Sequence, residues 1–94
     1  MNLLIPEVTI EECAEVIQAI SKIQRFGFVN SGYDNRAALA TEIGQLNYML
    51  WRLSELWCLD ESEMINAFNE KEIRLEDYAH YNVCNQTQPE PTAE

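Results

Sequence analysis

Four glutamates stand out from an otherwise diffuse acidity. Glu12 and Glu15 are three apart, so on a helix they are surface neighbours, and Glu11 precedes them in the same turn. At about 100° per residue Glu12 falls on the side of Val16 and Ile23, at the border of an apolar arc. Glu42 projects inside such an arc, among Leu39, Leu46, Met49 and Leu53. An ionised carboxylate in apolar surroundings costs several kcal/mol unless a cation compensates it, roughly the cost of burying any unpaired charge. The candidate cations are a divalent metal ion or Lys22, Lys71 or Arg74. A metal bridged by carboxylates to phosphate oxygens is the chemistry this pattern suits. Lys71 lies on the apolar stripe of its own segment, with Phe68, Leu75, Arg74 and Tyr78 on the same side, where a phosphate would satisfy it or its stem would snorkel. Lys22 and Arg25 project toward the Glu15 side.

Three helices must position these groups. Thr9-Ile10-Glu11-Glu12 reads as a capping box, and Ile10, Cys13, Ile17 and Ile20 recur at helical spacing until Gly27, so helix 1 is expected over about residues 10 to 26. Residues 28 to 35 (FVNSGYDN) are turn formers without periodicity, a loop whose last Asp or Asn caps the next helix, with Asn35 the expected N-cap. Helix 2 is expected over 36 to 58 on the stripe Leu39, Ile43, Leu46, Leu50, Leu53 and Trp57, a heptad-like seam for a bundle core or a subunit interface. Asp60-Glu61-Ser62-Glu63 is a capping box in its Asp form and opens helix 3, expected to reach about His80. No segment has strand periodicity. The expected fold is an all-α antiparallel bundle of three main helices, with a domain over 1–81 and a disordered acidic tail over 82–94, where two prolines and polar residues leave too little to pack.

Composition narrows the function. A chain of 94 residues gains a sufficient core most simply by oligomerising, so a homo-oligomer, dimer or tetramer, is expected. A net charge of −10 with only six scattered Lys and Arg argues against nucleic-acid binding. Three cysteines without a CxxC pair indicate neither a disulfide framework nor zinc and suit a reducing cytoplasm. The amino terminus lacks the basic region and the apolar length of a signal peptide, and no apolar run is long enough for a membrane span.

The order of these motifs resembles a known family. Glu11-Glu12-Cys13-Ala14-Glu15 is similar to the EExxE motif of MazG-like all-α nucleoside triphosphate pyrophosphohydrolases, and Glu42-Ile43-Gly44-Gln45 to the ExxD motif that follows it. The flanks EECAEVIQAISKIQRFG, a loop ending NR, EIGQLNYML and an acidic-capped helix with KEIRLEDY look like short phage-type members, over about residues 8 to 80. The resemblance implies a helical bundle, dimeric or tetrameric, in which Glu12, Glu15 and Glu42 act as catalytic Mg²⁺ ligands and Glu11 as a further ligand or its support. Lys22, Arg25, Asn35, Lys71, Arg74 and Tyr78 would then face the nucleotide. The implied reaction cleaves a nucleoside triphosphate to a monophosphate and pyrophosphate. Gln45 stands where the family has aspartate; its carbonyl oxygen can ligate a metal, but it brings no charge and cannot act as a base. That departure opens a second expectation, a nucleotide-binding or sequestering protein of weak activity, for instance one capturing a signalling nucleotide. If phage-encoded, either would act in the host cytoplasm. A purely structural protein would leave Glu42 unexplained.

Other residues carry blander expectations. Trp51 and Trp57 suit a core or an interface, Cys13 a small hydrophobe on its stripe, and His80 a helix C-terminal turn.

Overall fold

A computed structural model of the chain describes residues 4–76. It is mostly helical: α1 (Ile5–Phe26), a two-strand hairpin of β1 (Val29–Asn30) and β2 (Tyr33–Asp34), α2 (Asn35–Leu56) and α3 (Glu61–Glu76). Among the described residues no helix is long and apolar enough to cross a membrane. The expected tail over 82–94, the last turn to His80, and Tyr78 lie outside them.

Helix α1 begins five residues before the expected start, and the Thr9 capping box does not form. Pro6 sits in the first turn, where its missing N–H costs nothing. Thr9 is buried inside the helix, and its hydroxyl donates back to the Ile5 carbonyl at 2.7 Å. The extra turn is held because Ile5, 6% exposed, shares a recess with Arg52, Glu55 and Leu56 at the far end of α2. At its other end α1 stops at Gly27, whose φ of 85° suits only a residue without Cβ and whose N–H donates to Ile23 O at 2.7 Å.

The expected loop contains a minimal antiparallel hairpin pairing Val29 with Asp34 and Asn30 with Tyr33. Its turn residues, Ser31 and Gly32, take φ of 51° and 77°, the two positive values a type I′ turn requires. Two strand residues on each side are too few to show a period, which is why alternation could not reveal them. Asp34 rather than Asn35 is the N-cap of α2: its Oδ1 accepts from the Ala37 N–H at 2.9 Å. Asn35 is the first helical residue. Its side chain is 3% exposed and donates to Gly27 O at 3.0 Å, while its own N–H donates to Phe28 O, so it latches the loop shut from both sides.

This reversal sets α1 and α2 side by side and antiparallel, with Ile5 beside Leu56 and Lys22 beside Asn35. The line of α1 facing α2 is Ile5, Thr9, Glu12, Val16, Ala19 and Ile23, alternating steps of four and three. Opposite it run Asn35, Ala38, Glu42, Met49 and Leu56. The expected stripes therefore lie beside the true contact: Ile10, Ile17, Ile43, Leu50 and Trp57 are exposed, while Leu39, Leu46 and Leu53 straddle the two lines.

Helix α2 closes with a Schellman turn, Leu59 N–H to Ser54 O and Cys58 N–H to Glu55 O, with Cys58 in the left-handed region at φ 51°. The Asp60 half of the expected box forms, its Oδ1 accepting from the N–H groups of Ser62 and Glu63 and from the Ser62 hydroxyl, while no bond returns from the Glu63 side chain to the Asp60 N–H. Those three bonds hold the Asp60 carboxyl below its ordinary pKa of 3.8. Helix α3 does not complete an intramolecular bundle, since every residue in it except Leu75 is exposed.

Candidate metal centre

Three carboxylates converge where α1 and α2 touch. Glu12 and Glu15, one turn apart on α1, meet Glu42 from the middle of α2, and one carboxylate oxygen from each lies within 4.8 Å of the others. Glu12 and Glu42 are half-buried and Glu15 is exposed. Glu42 reaches this position because it belongs to the line of α2 that contacts α1, as its place among Leu39, Leu46, Met49 and Leu53 required.

Among the described residues nothing compensates these charges. Glu12 Oε1 and Glu42 Oε1 are both shielded from solvent and neither has a hydrogen-bond partner. Burial is the largest influence on Glu42 and raises its pKa above the ordinary 4.5; the neighbouring carboxylates of Glu15 and Glu12 raise it further. Two ionised carboxylates cannot donate to each other, so without a cation the trio is relieved only by taking up a proton. A cation placed among the three would remove the need for it.

The donor set fits a hard divalent ion, being all carboxylate oxygen with room left for water. Neighbouring oxygens on Mg²⁺ are roughly 3 Å apart, so the trio, within 4.8 Å of one another, would draw together by up to about 2 Å to share one ion.

Beside the trio lies a recess of about 200 Å³ walled by Glu15, Gln18, Lys22, Tyr33, Asn35 and Glu42. Lys22 and Asn35 are thus gathered with the carboxylates, as their place at the α1–α2 reversal allows. Gln18 and Tyr33 were not foreseen. Gln18 carried a signal, being three residues from Glu15 on the same helix face; Tyr33 carried none, because the hairpin alone brings it there. Gln45 faces a second recess with Glu12, Thr41, Tyr48 and Met49, on the opposite side of Glu12 from Glu15.

Four expected residues are not gathered. Glu11 and Arg25 are exposed and line neither recess, and the Arg25 guanidinium rests 5.3 Å from the Phe26 ring. Lys71 lies in an open groove of α3 with Phe68, Glu72 and Leu75, and Arg74 is exposed on the same helix. Tyr78 falls outside the described residues. Trp51 and Trp57 are 56% and 58% exposed, which places them on no core of this chain.

Compared with protein-family models, with curated proteins and with solved structures, the chain matches none. The three-carboxylate geometry stands on its own.

Proposed function

We propose that the protein is a Mg²⁺-dependent nucleotide pyrophosphohydrolase, cleaving a nucleoside triphosphate to a monophosphate and pyrophosphate. The observation that carries this reading is the convergence of Glu12, Glu15 and Glu42 with two shielded, unpartnered oxygens beside a recess that holds a lysine. Mg²⁺ held by the trio would neutralise phosphate charge and make a water molecule more acidic at neutral pH. The chain's own groups supply the rest. Lys22, which lines the recess, would pair with a phosphate, and Gln18 and Tyr33 offer polar atoms to whatever is attached to it. Glu15, the exposed member of the trio, is the carboxylate that an incoming water meets and the one positioned to accept its proton. The similarity of EECAE and EIGQ to the MazG-like motifs supports the same reading, as does the expectation of a homo-oligomer.

A second reading, capture of a nucleotide without efficient turnover, is favoured by two observations. Gln45 replaces the family's aspartate, and Lys71 and Arg74 are not gathered at the trio. One assay separates the two. Pyrophosphate release from a panel of nucleotides with Mg²⁺ should be abolished by Glu42→Gln and raised by Gln45→Asp, whereas stoichiometric binding with intact ligand recovered supports capture. No Mg²⁺-dependent binding or turnover of any nucleotide would overturn both.

A further inference from the structure

The two recesses flank the trio along the α1–α2 seam, one bordered by Glu15 and the other by Glu12. At about 100° per residue Val8, Glu15, Gln18 and Lys22 fall on one flank of the α1 line that touches α2, and Thr41, Gln45 and Tyr48 on one flank of the matching α2 line. In an antiparallel pair those two flanks face the same way. One ligand can therefore lie across the trio and reach both recesses.

Their linings differ in kind. The recess beyond Glu15 holds about 200 Å³ and carries Lys22 with the polar groups of Gln18, Tyr33 and Asn35. The recess beyond Glu12 holds about 510 Å³, is walled largely by Val8, Gly44, Tyr48 and Met49, and has no cation among its described lining residues. The first suits phosphates and the second a flat, uncharged ring.

Two residues of the larger recess have no evident task within the fold. Gly44 interrupts the interior of α2, where glycine weakens a helix, yet outside its own helix backbone a Cβ at this position would find no atom within 4 Å. Packing within the described chain does not demand that glycine; an occupant of the recess would. Tyr48 is 52% exposed, but its ring is held, because Arg52 donates to its hydroxyl at 2.9 Å from one turn further along α2. A ring already fixed loses little freedom when a second ring stacks on it.

We propose that the recess of Val8, Gly44, Tyr48 and Met49 takes the nucleobase of a nucleoside triphosphate, stacked on Tyr48, with the α-phosphate at the trio and the β- and γ-phosphates running toward Lys22. This rests on the pyrophosphohydrolase reading and sharpens it. Hydrolysis between the α- and β-phosphates puts the cut in the middle of the ligand, so the metal needs a place for the nucleoside on one side and for pyrophosphate on the other. Tyr48 is six residues, about 9 Å, along α2 from Glu42, a distance that a ribose and its base can span.

Titration calorimetry with Mg²⁺ and two probes tests it. The first is a panel of nucleoside triphosphates with an imido bridge between the α- and β-phosphorus atoms, which resists cleavage; the second is inorganic tripolyphosphate, which has the phosphates and no base. Wild type should bind the tightest member of the panel at least about tenfold more strongly than tripolyphosphate. Gly44→Leu, which stands a side chain in the recess, and Tyr48→Ala, which removes the stack, should each weaken that nucleotide roughly tenfold and leave tripolyphosphate within about twofold of wild type. Retained tripolyphosphate binding also reports that the trio is still assembled in each variant. Equal losses for the two probes in both variants, no loss for either, or a wild type that does not prefer the nucleotide would take the base out of this recess and leave the metal–phosphate reading standing. A wild type that binds neither probe would overturn that reading and this one together.

Discussion

Glu42 links structure to chemistry at the scale of single residues. Its pKa is raised in the folded chain, so the native state holds that proton more tightly than the unfolded state does. The linkage follows: its contribution is most favourable below the unfolded value of 4.5 and is lost as pH rises through the raised folded value. Without divalent metal the thermal midpoint should therefore fall across that window, and Glu42→Gln should flatten the slope and raise the midpoint at neutral pH. Mg²⁺ should stabilise wild type increasingly as pH rises and Glu42→Gln much less. Scanning calorimetry at several pH values, with and without Mg²⁺, checks this; equal slopes in the two proteins would mean that Glu42 is not the strained group. Glu42 was legible in the sequence because a charge inside an apolar arc is a conflict visible in one dimension. Gln18 and Tyr33 became site-lining residues only through the α1–α2 reversal, and nothing in their types announced it.

Element boundaries were readable where the cap had no competitor. Asp60 caps α3 because the chain before it has already left α2 through the Schellman turn, leaving no helix to extend backward. Thr9 shows the opposite: Ile5 and Val8 gain burial against α2 when the helix is prolonged, and that gain overrides the cap. The same cause misplaced the stripes, because a helix apolar over two adjacent lines does not say which line its own chain will cover. Two substitutions follow. Cys58→Gly should stabilise the fold by about 0.5 kcal/mol, the left-handed penalty removed less the added freedom of glycine in the unfolded chain, measured by urea denaturation. A loss of stability would show that the Cys58 side chain makes a contact worth more than its strain. Asp60→Ala should reduce helicity at 222 nm by fraying α3. The depressed Asp60 pKa adds a pH signature: its contribution is present above 3.8 and lost as pH falls through the lower folded value, so the acid limb of the helicity curve should flatten in the variant. An unchanged acid limb would assign that limb to other carboxylates.

For the whole molecule, the covered apolar surface is too small for the chain length. Among the described residues only Ile5, Ala19 and Ile23 of the apolar side chains are buried, and no side chain is fully enclosed. A single hydrophobic core of this kind seldom carries a domain below about 80 residues without metal, disulfide or a second subunit. If association supplies the missing burial, unfolding and dissociation are one event and mass action governs it. The thermal midpoint should then rise with protein concentration, by roughly 3–4 °C per tenfold for a dimer of this size. High salt should not abolish the rise if apolar burial carries the association, because screening acts on charge alone. Addition of Mg²⁺ should lift the midpoint at every concentration without changing its dependence on concentration, since the trio sits at the α1–α2 seam, apart from the exposed Ile10, Ile17, Ile43 and Leu50. Calorimetry over a hundredfold range of concentration, with and without Mg²⁺, reads both at once. A midpoint independent of concentration would make the α1–α2 pair self-sufficient and leave α3 without a structural task.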